Sequence, residues 1–274
     1  MGIGKVSSLA VASLSKVSRL AKLSIGKISG FTASFAAALY DNTTSFYDGL
    51  PGNNKQISYG SMSPQLNATD FTNGTAGSFT FSCWMKNDSL SRYRDDWVTR
   101  DYSNKCQIEV RSTYVRVVQK VAAGGWQSGY AYKSLSVDTW YHIAFSINTG
   151  TGVMKIYIDG EHLGTKTSSD IETSIWSGAS GGFNIVYYVG KIDELAIYDG
   201  VLSDDEVDEL YGGGDAADLS LLATYSDCVE WWNFNDTTFD GSHPDTILGE
   251  KGHDTTIGLN AANPDLLSSD VPSS

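Results

Sequence analysis

The chain has 274 residues, with 19 Lys and Arg against 32 Asp and Glu, a formal net charge of −13 and a pI near 4.6. Such an acidic surface lacks the clustered cations that nucleic-acid phosphates require, no run of about 18 apolar residues offers a transmembrane helix, and three cysteines are too few and odd in number for a disulfide scaffold. A 41% hydrophobic content with 28 Gly, 5 Pro and 32 aromatic residues (10 Phe, 7 Trp, 15 Tyr) suits a turn-rich globular β-protein.

Charge is divided unevenly along the chain. Residues 1–40 hold five basic side chains (Lys5, Lys16, Arg19, Lys22 and Lys27) and no acid, which leaves 14 − 32 = −18 on the remaining 234 residues. The basic segment repeats with a period of eleven: Lys5-Val6-Ser7-Ser8-Leu9-Ala10 returns as Lys16-Val17-Ser18-Arg19-Leu20-Ala21 and as Lys27-Ile28-Ser29-Gly30-Phe31-Thr32. Ile3, Leu14 and Ile25 stand two residues before each Lys, with a small residue between. Repeats of this kind do not bury their apolar face alone. Ile3, Val6, Leu9, Leu14, Val17, Leu20, Ile25, Ile28 and Phe31, with Lys5, Lys16 and Lys27, are therefore read as the anchoring residues of an arm that packs on a partner.

The arm's conformation stays open. Eleven residues make three turns of a slightly underwound helix at about 3.67 residues per turn, yet Gly4, Gly26, Gly30 and many Ser residues disfavour helix and suit an extended arm. Lys and Arg interrupt the segment too often for the apolar core of a secretory signal, and an organelle transit peptide does not explain the period.

From about Phe46 the chain alternates short strand patterns with turns. Residues 79–85 place Phe79, Phe81, Cys83 and Met85 on one face, and Tyr141, Ile143, Phe145 and Ile147 alternate with Trp140, His142, Ala144 and Ser146. Residues 153–158 run into Asp159-Gly160, a pair that accepts the positive φ of a type I′ turn, and 163–167 return as a hairpin. Further strands are expected at 183–189, 191–198 and 229–234. One helix is predicted: Ser203-Asp204-Asp205-Glu206 forms a capping box, Val207, Leu210 and Tyr211 follow at helical spacing, and Gly212 to Gly214 end it. The sum is an all-β, two-sheet antiparallel jelly-roll sandwich with one short helix and an N-terminal repeat arm.

Four motifs then occur in a familiar order: Phe79-Thr80-Phe81-Ser82-Cys83-Trp84-Met85-Lys86, Trp140-Tyr141-His142-Ile143-Ala144-Phe145, Lys155-Ile156-Tyr157-Ile158-Asp159-Gly160, and Gly190-Lys191-Ile192-Asp193-Glu194-Leu195-Ala196-Ile197-Tyr198. With the helix that follows, they resemble the laminin-G-like, concanavalin A-type domains over residues 45–214. Glu230-Trp231-Trp232-Asn233-Phe234 looks like the segment that usually opens such domains, placed last here and expected to complete a sheet. Arm repeats, laminin-G-like body and Trp-Trp tail together resemble virion proteins of tailed bacteriophages, particularly marine ones. The expected organisation is an anchoring arm at 1–32, a linker at 33–45, the sandwich at 46–214 and a C-terminal segment at 215–274 that contributes strands to it.

Catalytic constellations are sparse. His142, His162, His243 and His253 accompany no Gly-x-Ser-x-Gly elbow or Cys-His signature, and His142 reads as a packing residue of a strand. Gly212 to Gly214 read as a helix stop, since no Lys-Ser/Thr follows to frame a phosphate. Asp193 and Glu194 are adjacent, so on a regular strand they face opposite ways and do not form the carboxylate pair of a glycosidase. Cys83 reads as a free buried thiol in preference to a partner for Cys106. The family resemblance suggests a structural calcium ion with Asp193 as ligand, helped by carbonyls near Asp48; the alternative is that Asp193 bonds backbone amides.

Glycan binding needs flat rings beside polar groups. The segment Gly124-Gly125-Trp126-Gln127-Ser128-Gly129-Tyr130-Ala131-Tyr132 has that composition and reads as a loop site built on Trp126, Gln127, Tyr130 and Tyr132. Trp176 and Trp97 are weaker candidates, and the alternative is that all these rings cap the sandwich ends or an interface. The expected function is a non-enzymatic virion structural protein on the external surface, as capsid decoration, fibre or knob. The arm would bind other virion proteins in an oligomer or array, with host polysaccharide as a further partner and no nucleic-acid or membrane-inserted role. No cofactor is required. The alternatives are a stand-alone glycan-binding adhesin and a polysaccharide hydrolase.

Overall fold

Strict alternation of apolar side chains makes the strands, and the pairing of those strands makes the sandwich. A computed structural model of the protein describes residues 45–48, 78–88, 90, 96–99, 106–120, 125–169, 183–186, 190–234, 245–247, 249–252, 255–257, 267–268 and 272. The chain divides into two units, Met1–Asp41 and Asn42–Ser274, and every described residue belongs to the second. The arm at 1–32 with its anchoring candidates, the linker up to residue 44 and Trp176 lie outside the described residues.

Two antiparallel sheets form the sandwich. The larger runs in the order β15 (Leu267–Ser268), β1 (Ser45–Asp48), β11 (Gly190–Asp199), β2 (Phe79–Asn87), β7 (Trp140–Asn148), β8 (Val153–Ile158) and β9 (Glu161–Thr167), with β12 (Cys228–Trp232) also paired to β11. The smaller runs β10 (Phe183–Val186), β3 (Asp96–Thr99), β4 (Cys106–Arg111), β5 (Tyr114–Lys120) and β6 (Trp126–Tyr132). A separate ribbon pairs β13 (Asp245–Ile247) with β14 (Thr255–Ile257). Sequence-distant segments share the long strand β11: β1 pairs its first half, at Gly190 to Ile192, and β12 its second, at Leu195 to Tyr198.

The core lies between the sheets. Phe79, Phe81, Cys83 and Met85 of β2 meet Ile143, Phe145 and Ile147 of β7 and Met154, Ile156 and Ile158 of β8, and the smaller sheet supplies Ile108, Val110, Val115 and Val117. Phe81 and Phe145 are paired in register and stack at 5.2 Å, and Phe79 meets Phe145 edge-on at 5.7 Å. Each such side chain contributes about 1.5–3 kcal/mol when fully buried. Cys83, Cys106 and Cys228 are free and buried, and desolvation pushes all three thiols above their ordinary range.

The outward face of the larger sheet is buried as well. Thr80, Ser82 and Trp84 of β2, His142, Ala144 and Ser146 of β7, and Tyr157 of β8 are all below a tenth exposed. Helix α1 (Asp204–Tyr211) supplies the buried Val207 and Leu210, and Tyr211 stacks near Trp84 at 5.6 Å and His142 at 6.1 Å. Its capping box is complete, with Ser203 accepting from the Glu206 amide and Glu206 accepting from the Ser203 amide, and Gly212 closes it at φ +63°. Such a cap contributes about 1 kcal/mol. At its first turn Asp204 accepts from Lys155 Nζ at 2.7 Å and from Tyr157 Oη at 2.8 Å, which ties the helix to β8.

The turn after β8 has Asp159 at φ +54° and Gly160 at φ +75°, the dihedral signs of a type I′ turn. Asp159 does more than turn the chain: Oδ1 accepts from the His142 amide at 3.0 Å and Oδ2 from Lys133 Nζ at 2.6 Å. In β11 the alternation expected at Asp193 and Glu194 fails. One extra residue bulges between Asp193 and Ala196, and Glu194 takes φ +49°. Glu194 Oε2 then accepts from the Trp231 indole Nε1 at 2.6 Å, which joins β11 to β12.

His142 is fully enclosed, its Nε2 is 2.8 Å from Ser82 Oγ, and burial pushes its pKa down to about 3. The unfolded chain takes up this proton near pH 6.5, the folded one only near pH 3. The stabilisation is therefore whole above pH 6.5 and lost progressively as pH falls towards 3. Denaturant unfolding at pH 4.5 is expected to show about 2–3 kcal/mol less stability than at pH 7. A profile flat between those values would remove His142 as the acid-sensitive group.

Candidate functional site

Solvent meets a sheet on the outer face of the smaller one. Register sets what stands there: Tyr114 of β5 is opposite Tyr132 of β6 and Arg111 of β4, and Arg116 is opposite Tyr130 and Glu109. Ile108, Val110, Val115, Val117 and Ala131 turn inward to the core, so Glu109, Arg111, Tyr114, Arg116, Tyr130 and Tyr132 turn outward. Tyr130 and Tyr132 lie nearly parallel at 5.9 Å and 11°, and Tyr114 stands edge-on to both at 5.5 and 6.3 Å. Trp126 is 46% exposed and Tyr132 70%, with Tyr130 at 36%.

Beside the rings is a three-residue ionic group. Glu109 receives Arg111 on one oxygen, Nε at 2.6 Å, and Arg116 on the other. Burial works against the charge on Arg116, but its hydrogen bond to Tyr130 and the nearby Glu109 carboxylate outweigh that and hold its pKa above the ordinary value. The rings and the ionic group thus form one connected surface, running from Glu109 through Arg116 to Tyr130 and Tyr132.

The four sequence candidates in this region sit on a strand, not in a loop. Trp126, Tyr130 and Tyr132 share the outward face of β6, whereas Gln127, at an odd position with the inward Gly129 and Ala131, belongs to the other face. The physical reason for the small residues is close approach to β8 and β9. A Cβ on Gly129 would lie 3.0 Å from Met154 Sδ and 3.2 Å from Ile156 Cδ1, and one on Gly164 would lie 2.3 Å from the Tyr130 carbonyl oxygen. What reads as loop composition is therefore the packing demand of a strand pressed onto its neighbour sheet. Tyr114, Arg116, Glu109 and Arg111 were missed; the period of two in Ile108/Val110 and Val115/Val117, joined by Ser112-Thr113, is the signal that places them.

The remaining candidates lie elsewhere. Trp97 pairs in register with Ile108 in the smaller sheet. Asp193 is fully buried in the larger sheet, and its Oδ1 accepts from the Glu194 amide at 2.9 Å. No group of three or more His, Cys, Asp or Glu that would hold a metal ion assembles among the described residues, and the loop after Asp48 that was to supply carbonyls lies outside them. No helix among the described residues is long and apolar enough to cross a membrane.

The sequence pattern of the laminin-G-type family described as the concanavalin A-like lectin/glucanases superfamily matches residues 59–208, 150 of the 274. The chain belongs to that family. Among solved structures, this lectin-like chain resembles a Bacteroides ovatus protein described as a candidate carbohydrate-binding protein, with a TM-score of 0.51 and 16% identity over 85% of this chain and 61% of the other. It therefore spans about three-fifths of that protein's length. Looser likenesses include domain 4 of AbnA, a GH43 extracellular arabinanase from Geobacillus stearothermophilus solved with arabinotriose (TM-score 0.41, 21% identity, 62% of this chain and 81% of that one). Another is the heptameric SAP-like pentraxin of Limulus polyphemus (TM-score 0.42, 14% identity, 64% and 84%). At these identities the likeness is one of fold. No functionally curated protein matches the sequence.

Because Gly164 lets β9 press on the backbone that carries Tyr130, Gly164→Ala is expected to destabilise the domain by about 1–3 kcal/mol. It should also displace the tyrosine pair. Chemical denaturation and the near-ultraviolet circular dichroism of the tyrosines check the two effects, and an unchanged variant would show that the contact is not tight.

Proposed function

We propose that the protein is a non-enzymatic carbohydrate-binding module that takes an extended glycan along the outer face of its smaller sheet. The observation that carries this reading is the row of exposed rings Trp126, Tyr130 and Tyr132 on one strand face, with Tyr114 bracing the last two. Aromatic faces receive the C–H faces of sugars, and the adjacent hydroxyls and guanidinium supply hydrogen bonds to sugar oxygens. From Trp126 to Tyr132 the strand advances about 20 Å at ~3.4 Å per residue, a length that suits an oligosaccharide better than one sugar. Membership of a superfamily of lectins and glucanases agrees with it.

The reading is non-enzymatic because, among the described side chains, the carboxylate beside the rings, Glu109, is engaged by two arginines, while Asp193 and Glu194 are enclosed in the other sheet. Glycoside hydrolysis needs two carboxyl groups facing the scissile bond. Release of reducing ends from any bound polysaccharide would overturn this part.

In its finer form the module sits on the outer surface of a tailed-phage virion, held by residues 1–32 on other virion proteins. The three basic-apolar repeats and the Trp-Trp tail support that placement. Burial of the apolar positions would supply most of the arm's affinity, and its five positive charges would favour acidic neighbours.

Trp126→Ala and Tyr132→Ala are each expected to weaken retention on an immobilised glycan panel about tenfold, ~1.4 kcal/mol, with the unfolding midpoint unchanged. Parent-like binding by the double variant would exclude this face. Deleting residues 1–32 is expected to leave a folded domain that no longer enters particles, and normal uptake of the truncated chain would refute the anchoring role.

A further inference from the structure

We infer that the tyrosine face takes an anionic glycan, one bearing uronate or sulfate groups, with Arg116 as the residue that receives the negative group. This rests on the carbohydrate-binding reading and adds the ligand's charge to it. In a chain of net charge −13, the described side chains beside the tyrosine pair include Arg111 and Arg116 around the one carboxylate of Glu109, two positive charges to one negative. Charges beyond about 8 Å are largely screened at physiological ionic strength. A ligand lying on the rings therefore meets the local excess, not the charge of the whole molecule.

The two arginines are not equivalent. Arg111 is 13% exposed and grips one oxygen of Glu109 through Nε and a terminal nitrogen, while Arg116 is 35% exposed. Arg116 also stands directly opposite Tyr130 in register, and Tyr130 stacks against Tyr132. The Arg116 Nε–H is buried with no acceptor among the described residues, so a ligand would meet the solvent-exposed remainder of the side chain. A sugar stacked on the tyrosine pair would carry a carboxylate or sulfate to a guanidinium already held in place by Glu109 and standing opposite Tyr130. A planar fork matches the geometry of such oxyanions. A neutral glycan would use the rings and leave this charge unanswered. One exposed guanidinium falls short of the row of cations that a nucleic-acid backbone requires.

The test uses the full chain on an array pairing each neutral oligosaccharide with uronate-bearing and sulfated counterparts of the same backbone, followed by titration of the best ligands. Expected are at least tenfold tighter binding to the charged member of a pair, weakening as salt is raised, and at least tenfold loss on Arg116→Gln while Trp126→Ala also loses binding. Preference for uronate over sulfate, or the reverse, names the source of the charge. Equal binding of charged and neutral members, or anionic binding untouched by Arg116→Gln, overturns the inference and leaves the carbohydrate-binding reading standing. Binding to no member of the array overturns both. The comparison of charged and neutral probes on the unmodified protein needs no variant to fold.

Discussion

A β-sheet has two faces, and each must be either covered or fit for water. In this domain the larger sheet has both faces covered at its centre. The smaller sheet packs on one side, and helix α1 with its flanking residues packs on the other, where Thr80, Ser82, Trp84, His142 and Tyr157 lie enclosed. The smaller sheet keeps an outer face with exposed rings. That asymmetry decides where exposed Trp and Tyr can stand on a regular strand, because they need a surface that nothing else has claimed.

Covering the outward face of the larger sheet brings polar groups inside, and their partners come from far along the chain. Asp159 serves the His142 amide and Lys133, Asp204 serves Lys155 and Tyr157, and Glu194 serves the Trp231 indole. Glu230, fully buried, accepts from its neighbour's amide at Trp231 and from the Lys251 amide, with Gly249 packed against its carboxylate. Glu194 and Glu230 are buried, and a buried carboxylate without such donors is strongly destabilising, so their bonds help hold β12 and the segment around Lys251 in place. The same accounting separates the two carboxylate groups of the domain. Asp159, Asp204, Glu194 and Glu230 are committed to structure, and Glu109 on the smaller sheet is committed to orienting arginines beside the rings.

Much of the fold is legible in the amino-acid sequence. Period-two alternation marked β2 and β7, Asp159-Gly160 marked the hairpin, and Ser203 with Glu206 marked the only α-helix among the described residues. Each of these is a local signal, set by side-chain direction or by the dihedral preferences of a few consecutive residues. The bulge at Glu194 was not legible, since an acidic residue at positive φ is stabilised here by an indole 37 positions away in sequence. β6 was hidden for a related reason: its Gly and Ser content has the composition of a loop, and only contact with Met154, Ile156 and Gly164 explains it.

By itself the amino-acid order determined the fold class, the superfamily resemblance, the helix and its caps, and the choice of Trp126, Tyr130 and Tyr132 as candidate binding rings. Tertiary structure decided that those rings share one face, that Gln127 leaves it, and that Tyr114, Arg116, Glu109 and Arg111 join it. The difference has a physical root. Alternation is written in neighbouring residues, whereas cross-strand register depends on which strands pair, and that is settled by burying the common core.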